Sequence, residues 1–492
     1  MIIKNDAASF DSYTKDASNF KGFCDKVLLP ETVEDIVSIV KECSASKTPI
    51  SIAGNGTGLN GGRVPEGGVV ISMERMNKVF GFDAQSLTAE VEAGVMLADF
   101  LQATDLKNFF YPPDPTEKNC FIGATISTNA SGARTYGYGS TRAFVKEIEV
   151  VLADEEIIHL CRGEIFAENN KLDFTSLSGK QYSLSLPEFT MPQVKNTAGY
   201  CISENVDAID LFIGSEGTLG IITRAKLMLL KKPESIVSAL AFFADEEQAL
   251  AFSQTLRNYA KAKRDQSGAL INPCAIEFFD NNSLIFLKPK YSSIPLGAHS
   301  AVWLEQNCLS AEYDQLLEMY GEALSDSNAL DDIWFAFEHK DYERLSSFRH
   351  SISDMVNEYI SKNGFRKLGT DAAVPEENFR EFYFFNKELM KSNNMDYVFY
   401  GHIGNCHLHL NMLPKNENEF AKGKMLYREI CQKAVELNGT VSAEHGIGKM
   451  KREYFYLMYS DEVIKGMAKI KSTLDPHNIL NRGNIFYEED LV

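Results

Sequence analysis

The chain has 492 residues, of which 44% are hydrophobic and 24% are charged, and its formal net charge is −19 at pH 7. This length corresponds to two or three domains, and the composition is that of a folded globular protein. Because the negative charge comes without a lysine- or arginine-rich block, the sequence disfavours nucleic acid and anionic membrane surfaces as partners.

Cysteine spacing and the amino terminus bear on the compartment. The nine cysteines contain no CxxC pair, which argues against iron–sulfur clusters, zinc ribbons and a disulfide framework, and favours a reducing compartment. Residues 1–20 are polar and lack the apolar core of a signal peptide, and no stretch reaches the ~18 apolar residues that span a bilayer. We therefore expect a cytoplasmic protein without a transmembrane segment.

The first 230 or so residues mix helices and strands. After Pro30, apolar residues recur at helical spacing behind Thr32, which predicts a helix capped by that threonine. A short apolar strand then enters the loop GNGTGLNGG, residues 54–62, and a second strand follows at residues 69–73. Further strands are predicted in TAEVEAGV, FVKEIEVVLADEEIIHL and GSEGTLGIITRAKLMLL.

A domain boundary is predicted at KKPES, residues 231–235, where charge and proline interrupt the pattern. A helix is predicted to follow it, over DEEQALAFSQTLRNYAKA. Later segments alternate helices with strands such as AVWLE and DYVFY, which indicates an α+β domain reaching to about residue 435.

Glycine-rich loops are the strongest ligand signal in the first domain. Five glycines in residues 54–62 would let backbone N–H groups surround a phosphate, although a flexible turn has the same composition. The loop is not a Walker motif, because no GK[ST] follows, and it is not a helix-opening GxGxxG finger, because a strand follows. Three more loops, ATISTNASGARTYGYGSTR, VKNTAGYCIS and FIGSEGTLGIIT, combine glycine with Ser, Thr or Asn. Four such loops favour a large phosphate-bearing ligand, and a dinucleotide is the natural candidate.

The segment GHIGNCHLHLN, residues 401–411, holds three of the nine histidines. On a strand, alternate side chains share a face, so spacing alone would place His407, His409 and Asn411 together. The segment is thus either a metal site or a polar strand.

Taken in order, these motifs resemble those of the FAD-linked 2-hydroxy-acid dehydrogenases of the vanillyl-alcohol-oxidase (PCMH) type, which include D-lactate and D-2-hydroxyglutarate dehydrogenases. The resemblance covers nearly the whole chain. It rests on GNGTGLNGG, YPPDPTEKNCFIGATISTNASGARTYGYGSTR, KNTAGY, GSEGTLGIIT, GHIGNCHLHLN, AEHGIGKMK and LDPHNILNRGNIF. It implies an α+β fold: a PCMH-type FAD-binding domain of two α/β subdomains (residues 1–232), an α+β cap domain for the substrate (233–435), and a C-terminal segment returning to the flavin (436–492).

The resemblance implies that three stretches bind FAD. The residues carried over to the pyrophosphate loop are Gly54, Asn55, Gly56, Thr57, Gly58, Asn60 and Gly61. Those carried over to the second stretch are Pro113, Asp114, Gly123, Ser127, Asn129, Gly132 and Tyr138, and those in the third are Glu216, Gly217 and Ile222. Some relatives attach FAD covalently through a histidine near the first loop. No histidine precedes His159 here, so we expect non-covalent FAD.

The family pattern, close to GHxGDGNxHxN, assigns two metal ligands to His402 and His409. Residues 401–405 read as a turn that can carry His402 round to the strand face, which strand periodicity cannot describe. Glu444 in AEHGIGK completes a His2Glu set that leaves coordination positions open, as a catalytic zinc requires. We therefore expect a divalent metal, with zinc preferred. A polar strand without metal remains the alternative.

The resemblance also implies the residues that handle the substrate. His445 is expected to be the catalytic proton acceptor, because adjacent side chains diverge and Glu444 would face the metal; by pattern alone His445 is a turn residue. Arg349 in SSFRHSISD would clamp the substrate carboxylate, although an exposed helical arginine fits that pattern equally. Asn411 is expected to contact the substrate as well.

Four positions depart from the family pattern. Asn405, Cys406 and His407 replace Asp, Gly and Asn, which affects pocket shape and metal preference while leaving the inferred ligands in place. Gly369 in LGTDAAVP stands where some relatives have a lysine for a second carboxylate. Its loss favours a smaller, monocarboxylic substrate.

The predicted reaction is oxidation of a small, D-lactate-like D-2-hydroxy acid to the 2-oxo acid, with hydride transfer to flavin N5. The alternatives are dehydrogenation of D-2-hydroxyglutarate or glycolate, a non-redox flavin-dependent transferase of the same fold, such as an alkylglycerone-phosphate synthase, and a zinc hydrolase. The missing HExxH motif and the four glycine loops weigh against the hydrolase. The electron acceptor is expected to be a quinone, a cytochrome or an electron-transfer flavoprotein, which could hold the protein peripherally at a membrane. A homodimer is one option for its assembly.

Overall fold

The computed structural model describes residues 1–4, 10–265, 270–365 and 368–491. The strands up to residue 231 are β1 (Ile2–Lys4), β2 (Lys26–Leu29), β3 (Ile50–Ala53), β4 (Val69–Ser72), β5 (Val79–Asp83), β6 (Thr88–Glu92), β7 (Phe109–Phe110), β8 (Val145–Val151), β9 (Ile157–Cys161), β10 (Lys171–Thr175), β11 (Gln181–Ser185), β12 (Ile221–Met228) and β13 (Leu230–Lys231). The helices of the same region are α1 (Val33–Ser46), α2 (Leu97–Leu106), α3 (Ile122–Ser127), α4 (Thr135–Tyr138) and α5 (Ala208–Phe212).

Helix α1 begins where the sequence predicts. The Thr32 side chain accepts a hydrogen bond from Asp35 N at 3.2 Å, which satisfies one of the free N–H groups of the first turn. Glu34 and Asp35 place negative charge at the positive end of the helix dipole. On the inner face, Ile36 and Val40 are fully buried, so the predicted apolar stripe is confirmed.

Within the described residues, the amino-terminal strands form two main sheets. The first has the order β1-β2-β4-β3, with β2, β4 and β3 parallel, and the second is antiparallel in the order β5-β6-β12-β8-β9. The loop at residues 54–62 leaves the carboxyl end of β3, the edge at which parallel sheets commonly bind ligands. The predicted order of strand, glycine loop and strand is therefore confirmed.

A seven-stranded antiparallel sheet follows in the second half of the chain, in the order β17-β14-β16-β15-β19-β20-β18. Its strands are β14 (Ser235–Phe243), β15 (Ala275–Phe279), β16 (Ser300–Cys308), β17 (Trp334–Phe335), β18 (Leu368–Gly369), β19 (Tyr397–Gly401) and β20 (His409–Met412). The helices are α6 (Glu246–Asp265), α7 (Asn281–Leu287), α8 (Tyr313–Ser325), α9 (His339–Lys362), α10 (Glu376–Ser392), α11 (Glu417–Glu436), α12 (Arg452–Phe455) and α13 (Asp461–Leu474). The helix predicted after the KKPES boundary is α6.

Both faces of the seven-stranded sheet are covered by apolar packing. Phe242 and Phe279 pack on one face with Phe348 of α9, whereas Phe243 and Phe278 face the main core. Strand β15 is therefore buried along its whole length. A carboxylate placed in such a strand needs a buried cationic or hydrogen-bonding partner, which makes its acidic residue informative about the site.

The C-terminal segment returns to the first sheet. Ile50 N of β3 donates to Ile479 O at 2.6 Å, and Ile52 N donates to Asn481 Oδ1 at 2.7 Å. Asn481 Nδ2 in turn donates to Glu216 O at 2.6 Å, beside β12. The α+β organisation is confirmed, while the two boundaries between the three domains stay predictions.

No helix in the described part of the chain is both long enough and apolar enough to cross a bilayer.

Candidate active site

One cavity of about 890 Å³ is lined by the glycine loop, by the C-terminal segment and by the seven-stranded sheet, which is called the cap sheet below. Most residues predicted for the site line it. They are Gly54, Asn55, Gly56, Thr57, Gly58, Asn60, Gly123, Ser127, Glu216, Gly217, Ile222, Arg349, His402, His409, Asn411, Glu444 and His445. The structure thus brings the predicted cofactor loops and the predicted chemical residues to a single cavity.

The glycine loop needs glycine for two different reasons. Gly56 and Gly61 have φ of +78° and +73°, a backbone conformation that side chains disfavour. Gly58 is different: an added Cβ would meet only Asp16 Oδ2, at 3.7 Å, so a side chain there would occupy the cavity itself. This open cradle of backbone fits the pyrophosphate of FAD.

Replacing Gly58 with leucine should expel FAD while leaving the fold intact. The side chain would fill the space next to the backbone N–H groups, so we expect FAD affinity to fall by at least ~10-fold, equal to ~1.4 kcal/mol. Flavin content after purification and titration with added FAD measure the change. Gly81→Leu is the matched control, because Gly81 is exposed and an added Cβ there meets no atom within 4 Å. Equal flavin content in both variants would contradict the assignment.

Six predicted cofactor residues are not among the described residues that line the cavity. They are Gly61, Pro113, Asp114, Asn129, Gly132 and Tyr138. Several of them shape the second loop: Asn129 Oδ1 accepts from Arg142 N at 3.0 Å, and a Cβ on Gly132 would lie 1.9 Å from Asp114 O. Direct contact of these six residues with FAD stays a prediction.

Glu216 has a further structural task. Its carboxylate accepts hydrogen bonds from Ile447 N and Gly448 N, both at 2.6 Å. Burial raises the pKa of Glu216 to about 7 despite these two bonds. Glu216 therefore fixes the loop that follows Glu444 and His445 against the first domain.

His402, His409 and Glu444 converge on one point. His402 Nε2 lies 3.2 Å from Glu444 Oε1, and His409 Nε2 lies 3.4 Å from Glu444 Oε2. Zinc bonds of ~2.0–2.2 Å in a tetrahedron separate ligand atoms by about 3.3–3.5 Å, so these spacings already suit a metal. Together with His407, the three residues form a group whose ligand atoms all lie within 4.8 Å of one another.

Hydrogen bonds on the far side of each ring select the nitrogen that faces the cluster. His402 Nδ1 lies 2.6 Å from Glu277 Oε1, and His409 Nδ1 lies 3.1 Å from the Thr370 carbonyl. Both partners are acceptors, so each Nδ1 carries the proton and each Nε2 presents a lone pair in the neutral ring. The lone pairs of His402 Nε2 and His409 Nε2 face the Glu444 carboxylate, and together they form a donor set suited to a divalent cation. These residues therefore fit the expected zinc.

Glu277 of β15 holds two site residues at once. Its Oε2 accepts from Arg349 Nε at 3.1 Å, while its Oε1 bonds His402. Burial alone would raise the pKa of Glu277, but the charges of His402 and Arg349 lower it to about 2. Glu277, the buried acid of the apolar strand β15, thereby has two partners. It connects Arg349, predicted to bind the substrate carboxylate, with His402, a predicted metal ligand.

Glu444 is also held by residues of the first domain. Lys195 Nζ contacts its Oε1, and Ser131 Oγ donates to the same oxygen at 3.0 Å. Although burial would raise the pKa of Glu444, the charges of His402 and Lys195 hold it well below its usual range. Glu444 is therefore a carboxylate, as a metal ligand must be.

The turn after β19 bears on the two histidine assignments, which stay predictions. Residues Ile403–Asn405 form a 3-10 turn, and Cys406 takes φ +52°, so the chain reverses before His407. His402 is thereby carried to Glu444, as the turn prediction requires. His407 is fully buried, and its Nε2 lies 3.1 Å from Asp371 Oδ1 instead. Burial lowers the pKa of His407 to about 3.

His407→Asn should leave metal affinity roughly unchanged, because His407 faces Asp371 and the substitution restores the family's residue. His402→Asn should remove the metal, because it takes away a ring nitrogen 3.2 Å from Glu444. Metal analysis of both purified variants, each with its FAD content, tests this. If His407→Asn loses the metal and His402→Asn keeps it, strand periodicity gave the right ligand pair.

Asp371 organises the loop that carries His445. It accepts from His445 N at 2.9 Å and from Lys451 Nζ at 2.8 Å, and its Oδ2 lies 3.4 Å from His445 Nδ1. Although burial would raise the pKa of Asp371, His445 and Lys451 hold it well below its usual range. Burial lowers the pKa of His445 to about 3, so its imidazole is neutral when no substrate is bound. The His445 ring stacks on that of His409, with centroids 5.3 Å apart.

Sequence reasoning missed four residues of this site: Lys195, Ser131, Glu277 and Asp371. Three of them lie inside segments that carry the resemblance, in KNTAGY, NASGAR and LGTDAAVP, without having been given roles. Glu277 had a signal of its own, since it is the acidic residue of the apolar strand AIEFF. An isolated acid in a strand of that kind predicts a buried ion pair.

Comparisons with known proteins agree with this arrangement. Residues 24–161 match the family described as "FAD binding domain", and residues 232–485, just over half of the chain, match "FAD linked oxidases, C-terminal domain". The chain is 30% identical over 484 residues to the glycolate oxidase subunit GlcD of Bacillus subtilis (strain 168). The aligned region covers 97% of this chain and 92% of that protein.

Two further relatives are similar over nearly the same length. The D-lactate dehydrogenase of Archaeoglobus fulgidus is 28% identical over 471 residues, covering 93% of this chain and 90% of its own. The mitochondrial D-2-hydroxyglutarate dehydrogenase of Danio rerio is 28% identical over 466 residues, covering 94% and 78%. A solved structure of alkyldihydroxyacetonephosphate synthase superposes with a TM-score of 0.65 at 16% identity, covering 98% of this chain and 82% of that one. This last likeness concerns the fold alone.

Proposed function

Since this chain belongs to the FAD-linked oxidases, with a PCMH-type FAD-binding domain and the C-terminal domain of that family, we propose that it is a metal-assisted dehydrogenase of a small D-2-hydroxy acid. The expected flavoprotein class is confirmed: the chain is an FAD-linked oxidoreductase of the D-lactate, D-2-hydroxyglutarate or glycolate type. The metal and the D-lactate-like substrate are the proposal. One observation carries it, namely that a single cavity is lined by the glycine loop and by His402, His409, Glu444 and His445.

His445 is proposed to accept the proton of the substrate hydroxyl. Its Nδ1 faces Asp371 at 3.4 Å, which leaves Nε2 as the nitrogen available for the substrate. Once the ring has taken the proton, the Asp371 carboxylate stabilises the positive charge and keeps the ring oriented. Lys451 and the backbone N–H of His445 hold Asp371 in place for this task.

Two bound groups complete the chemistry. A divalent metal held by His402, His409 and Glu444 would lower the pKa of the substrate hydroxyl. FAD, when bound, supplies the flavin that accepts the hydride. The protein places both groups on one substrate and excludes water, and the burial of His402 and Glu444 serves that purpose.

Arg349 is proposed to bind the substrate carboxylate. Its Nε is occupied by Glu277, and its Nη1 lies 3.0 Å from His350 Nε2. Among the described residues, no hydrogen bond is formed by Nη2, and Arg349 lines the cavity. The guanidinium can therefore hold Glu277 with one edge and a carboxylate with another, which an ammonium cannot do.

Arg349→Lys should raise KM by about 10–100-fold with FAD content unchanged, because one charge-assisted pair of hydrogen bonds of ~1.5–3 kcal/mol is lost. Steady-state kinetics with the best substrate measure the change. Arg344→Lys is the control, since Arg344 lies on the same helix and its guanidinium rests on the Trp334 ring outside the cavity. Unchanged kinetics in Arg349→Lys would assign this residue to structure alone.

Gly369 supports a substrate with one carboxylate. It lines the cavity and pairs with Asn411 in the register of β18 and β20, so a long cationic side chain at this position would border the substrate space. Here that position carries no charge. The proposal therefore favours a D-lactate-like acid over D-2-hydroxyglutarate.

The proposal is tested by dye-linked turnover with a panel of D- and L-2-hydroxy acids and by identification of the product. We expect activity with small D-2-hydroxy monocarboxylic acids and formation of the 2-oxo acid. The electron acceptor is expected among quinones, cytochromes and electron-transfer flavoproteins. Turnover that is restricted to dicarboxylic acids would contradict the proposed substrate, and formation of a transfer product without dye reduction would favour the transferase alternative.

A further inference from the structure

Three buried acids around the histidine cluster each have a buried cation beside them. Glu277 pairs with Arg349 at 3.1 Å, and Asp371 pairs with Lys451 at 2.8 Å. Glu444 pairs with Lys195, and every one of these six side chains is less than a tenth exposed. A metal binds through the lone pairs of neutral histidine rings, and once His402 and His409 are neutral the three ion pairs leave no net charge for the metal to meet.

Lys195 stands out among these cations, because it contacts a predicted metal ligand directly. Its ammonium meets Glu444 Oε1, the same oxygen that lies 3.2 Å from His402 Nε2. A metal bound between His402, His409 and Glu444 would therefore share that carboxylate with a fixed positive charge. Like charges at this separation in a buried site repel strongly, so Lys195 opposes the metal that Glu444 attracts.

A divalent metal would leave the balanced site with two excess positive charges. A chelating ligand with two negative charges would restore neutrality, whereas a ligand with one would not. Oxalate is such a ligand, and a 2-hydroxy acid that has lost its hydroxyl proton carries the same charge on the same pattern of oxygens. The size and polarity of the cavity next to Arg349 and His409 accommodate ligands of this kind.

We propose that Lys195 competes with the metal for Glu444, so that the metal is held weakly by the protein alone and tightly only together with a doubly anionic chelator. This rests on the proposed function insofar as the metal site is the one that serves 2-hydroxy-acid oxidation. Lys195 is a positioning residue in this account, because it acts through Glu444. Linkage requires that metal and anion strengthen each other's binding by the same factor.

The wild-type protein tests this without any substitution. The FAD-loaded protein is freed of metal with a chelator and titrated with zinc, at free zinc concentrations fixed by a metal buffer, with oxalate or with oxamate. Oxamate has nearly the same shape as oxalate and one negative charge less. We expect oxalate to tighten zinc binding by at least ~10-fold and oxamate to have a much smaller effect. Equal effects of the two anions, or none, would overturn the proposal.

Two variants locate the effect at Lys195. Lys195→Met should bind zinc at least ~10-fold more tightly than wild type in the absence of oxalate, because the competing charge is gone. The factor by which oxalate tightens zinc binding should therefore be smaller in Lys195→Met than in wild type. Lys195→Arg keeps the positive charge and should behave like wild type. Zinc binding by Lys195→Met that is no tighter than wild type would overturn the proposal. Thermal melting and flavin content verify that Lys195→Met is folded. If this variant does not fold, the comparison of oxalate with oxamate on the wild-type protein tests the proposal by itself.

Failure here is distinguishable from failure of the proposed function. If oxalate does not tighten zinc binding but a D-2-hydroxy acid still reduces the flavin, the role of Lys195 is overturned and the dehydrogenase stands. If oxalate and zinc are coupled but no 2-hydroxy acid reduces the flavin, the charge competition is supported and the proposed reaction is lost. Zinc binding by none of the proteins, with or without oxalate, would overturn the competition outright.

Discussion

Replacing His445 with alanine should lower turnover by ~10²–10⁴-fold while FAD and metal remain bound. The substitution removes the ring that faces Asp371 and stacks on His409, but none of the atoms that converge on Glu444. The proton of the substrate hydroxyl would then have no acceptor at the site. Steady-state turnover, metal analysis and the flavin spectrum of one preparation measure the three quantities together.

A control separates loss of the base from general damage. His159→Ala removes a partly exposed histidine of β9 that pairs with Glu147 outside the cavity, so wild-type turnover is expected. Added imidazole should restore part of the turnover of His445→Ala, because a small base can enter the space left by the ring. Loss of the metal from His445→Ala, without rescue by imidazole, would mean that His445 is a ligand and not the base.

Glu444→Gln should have the opposite signature. The amide keeps the size of the side chain but loses the negative charge, so metal affinity should fall by more than the ~10–100-fold typical of an outer-shell partner. Turnover should fall with it, and FAD should stay bound because the glycine loop is untouched. Lys195 would also lose its counter-charge in a buried setting, so the melting temperature of the metal-free variant should drop.

The comparison variant is Glu436→Gln, at the exposed end of α11, where the same change of charge has no buried partner. Its metal content and melting temperature should equal those of wild type. A metal content in Glu444→Gln equal to that of wild type would show that the metal is bound at a site that does not include Glu444. Substitutions at the adjacent residues Glu444 and His445 are thus expected to have opposite effects on metal content: the metal is lost from Glu444→Gln and kept by His445→Ala.

Much of the fold could be predicted because its signals are local. Thr32 caps α1 as its position before an apolar stripe requires, and the glycine loop leaves β3 where the strand pattern ends. The assignment of His402 needed more than strand periodicity, because that pattern holds only within a strand. The 3-10 turn and the left-handed backbone of Cys406 interrupt the alternation of side chains along the strand. The prediction that His402 is a ligand therefore came from the order of the family motifs and not from residue spacing.

The charged partners of the site could not be predicted in this way. Glu277 lies 125 residues before His402, and Lys195 lies 249 residues before Glu444. Pairing over such distances depends on how the cap sheet meets the first domain, which no local pattern of hydrophobicity encodes. Glu216 illustrates the same limit, since its carboxylate binds the backbone of Ile447 and Gly448 while its sequence position suggested only the flavin.

We propose that a D-2-hydroxy acid delivers its hydride to FAD in the cavity shared by the glycine loop and the His402, His409 and Glu444 cluster. Anaerobic mixing of the purified protein with D-lactate, followed through the visible absorbance of the flavin, tests it most directly. We expect D-lactate to bleach the flavin, L-lactate to leave it unchanged, and the flavin of His445→Ala to bleach far more slowly. A bound flavin that keeps its absorbance with every 2-hydroxy acid tried, or a purified protein without flavin, would rule out the proposed reaction.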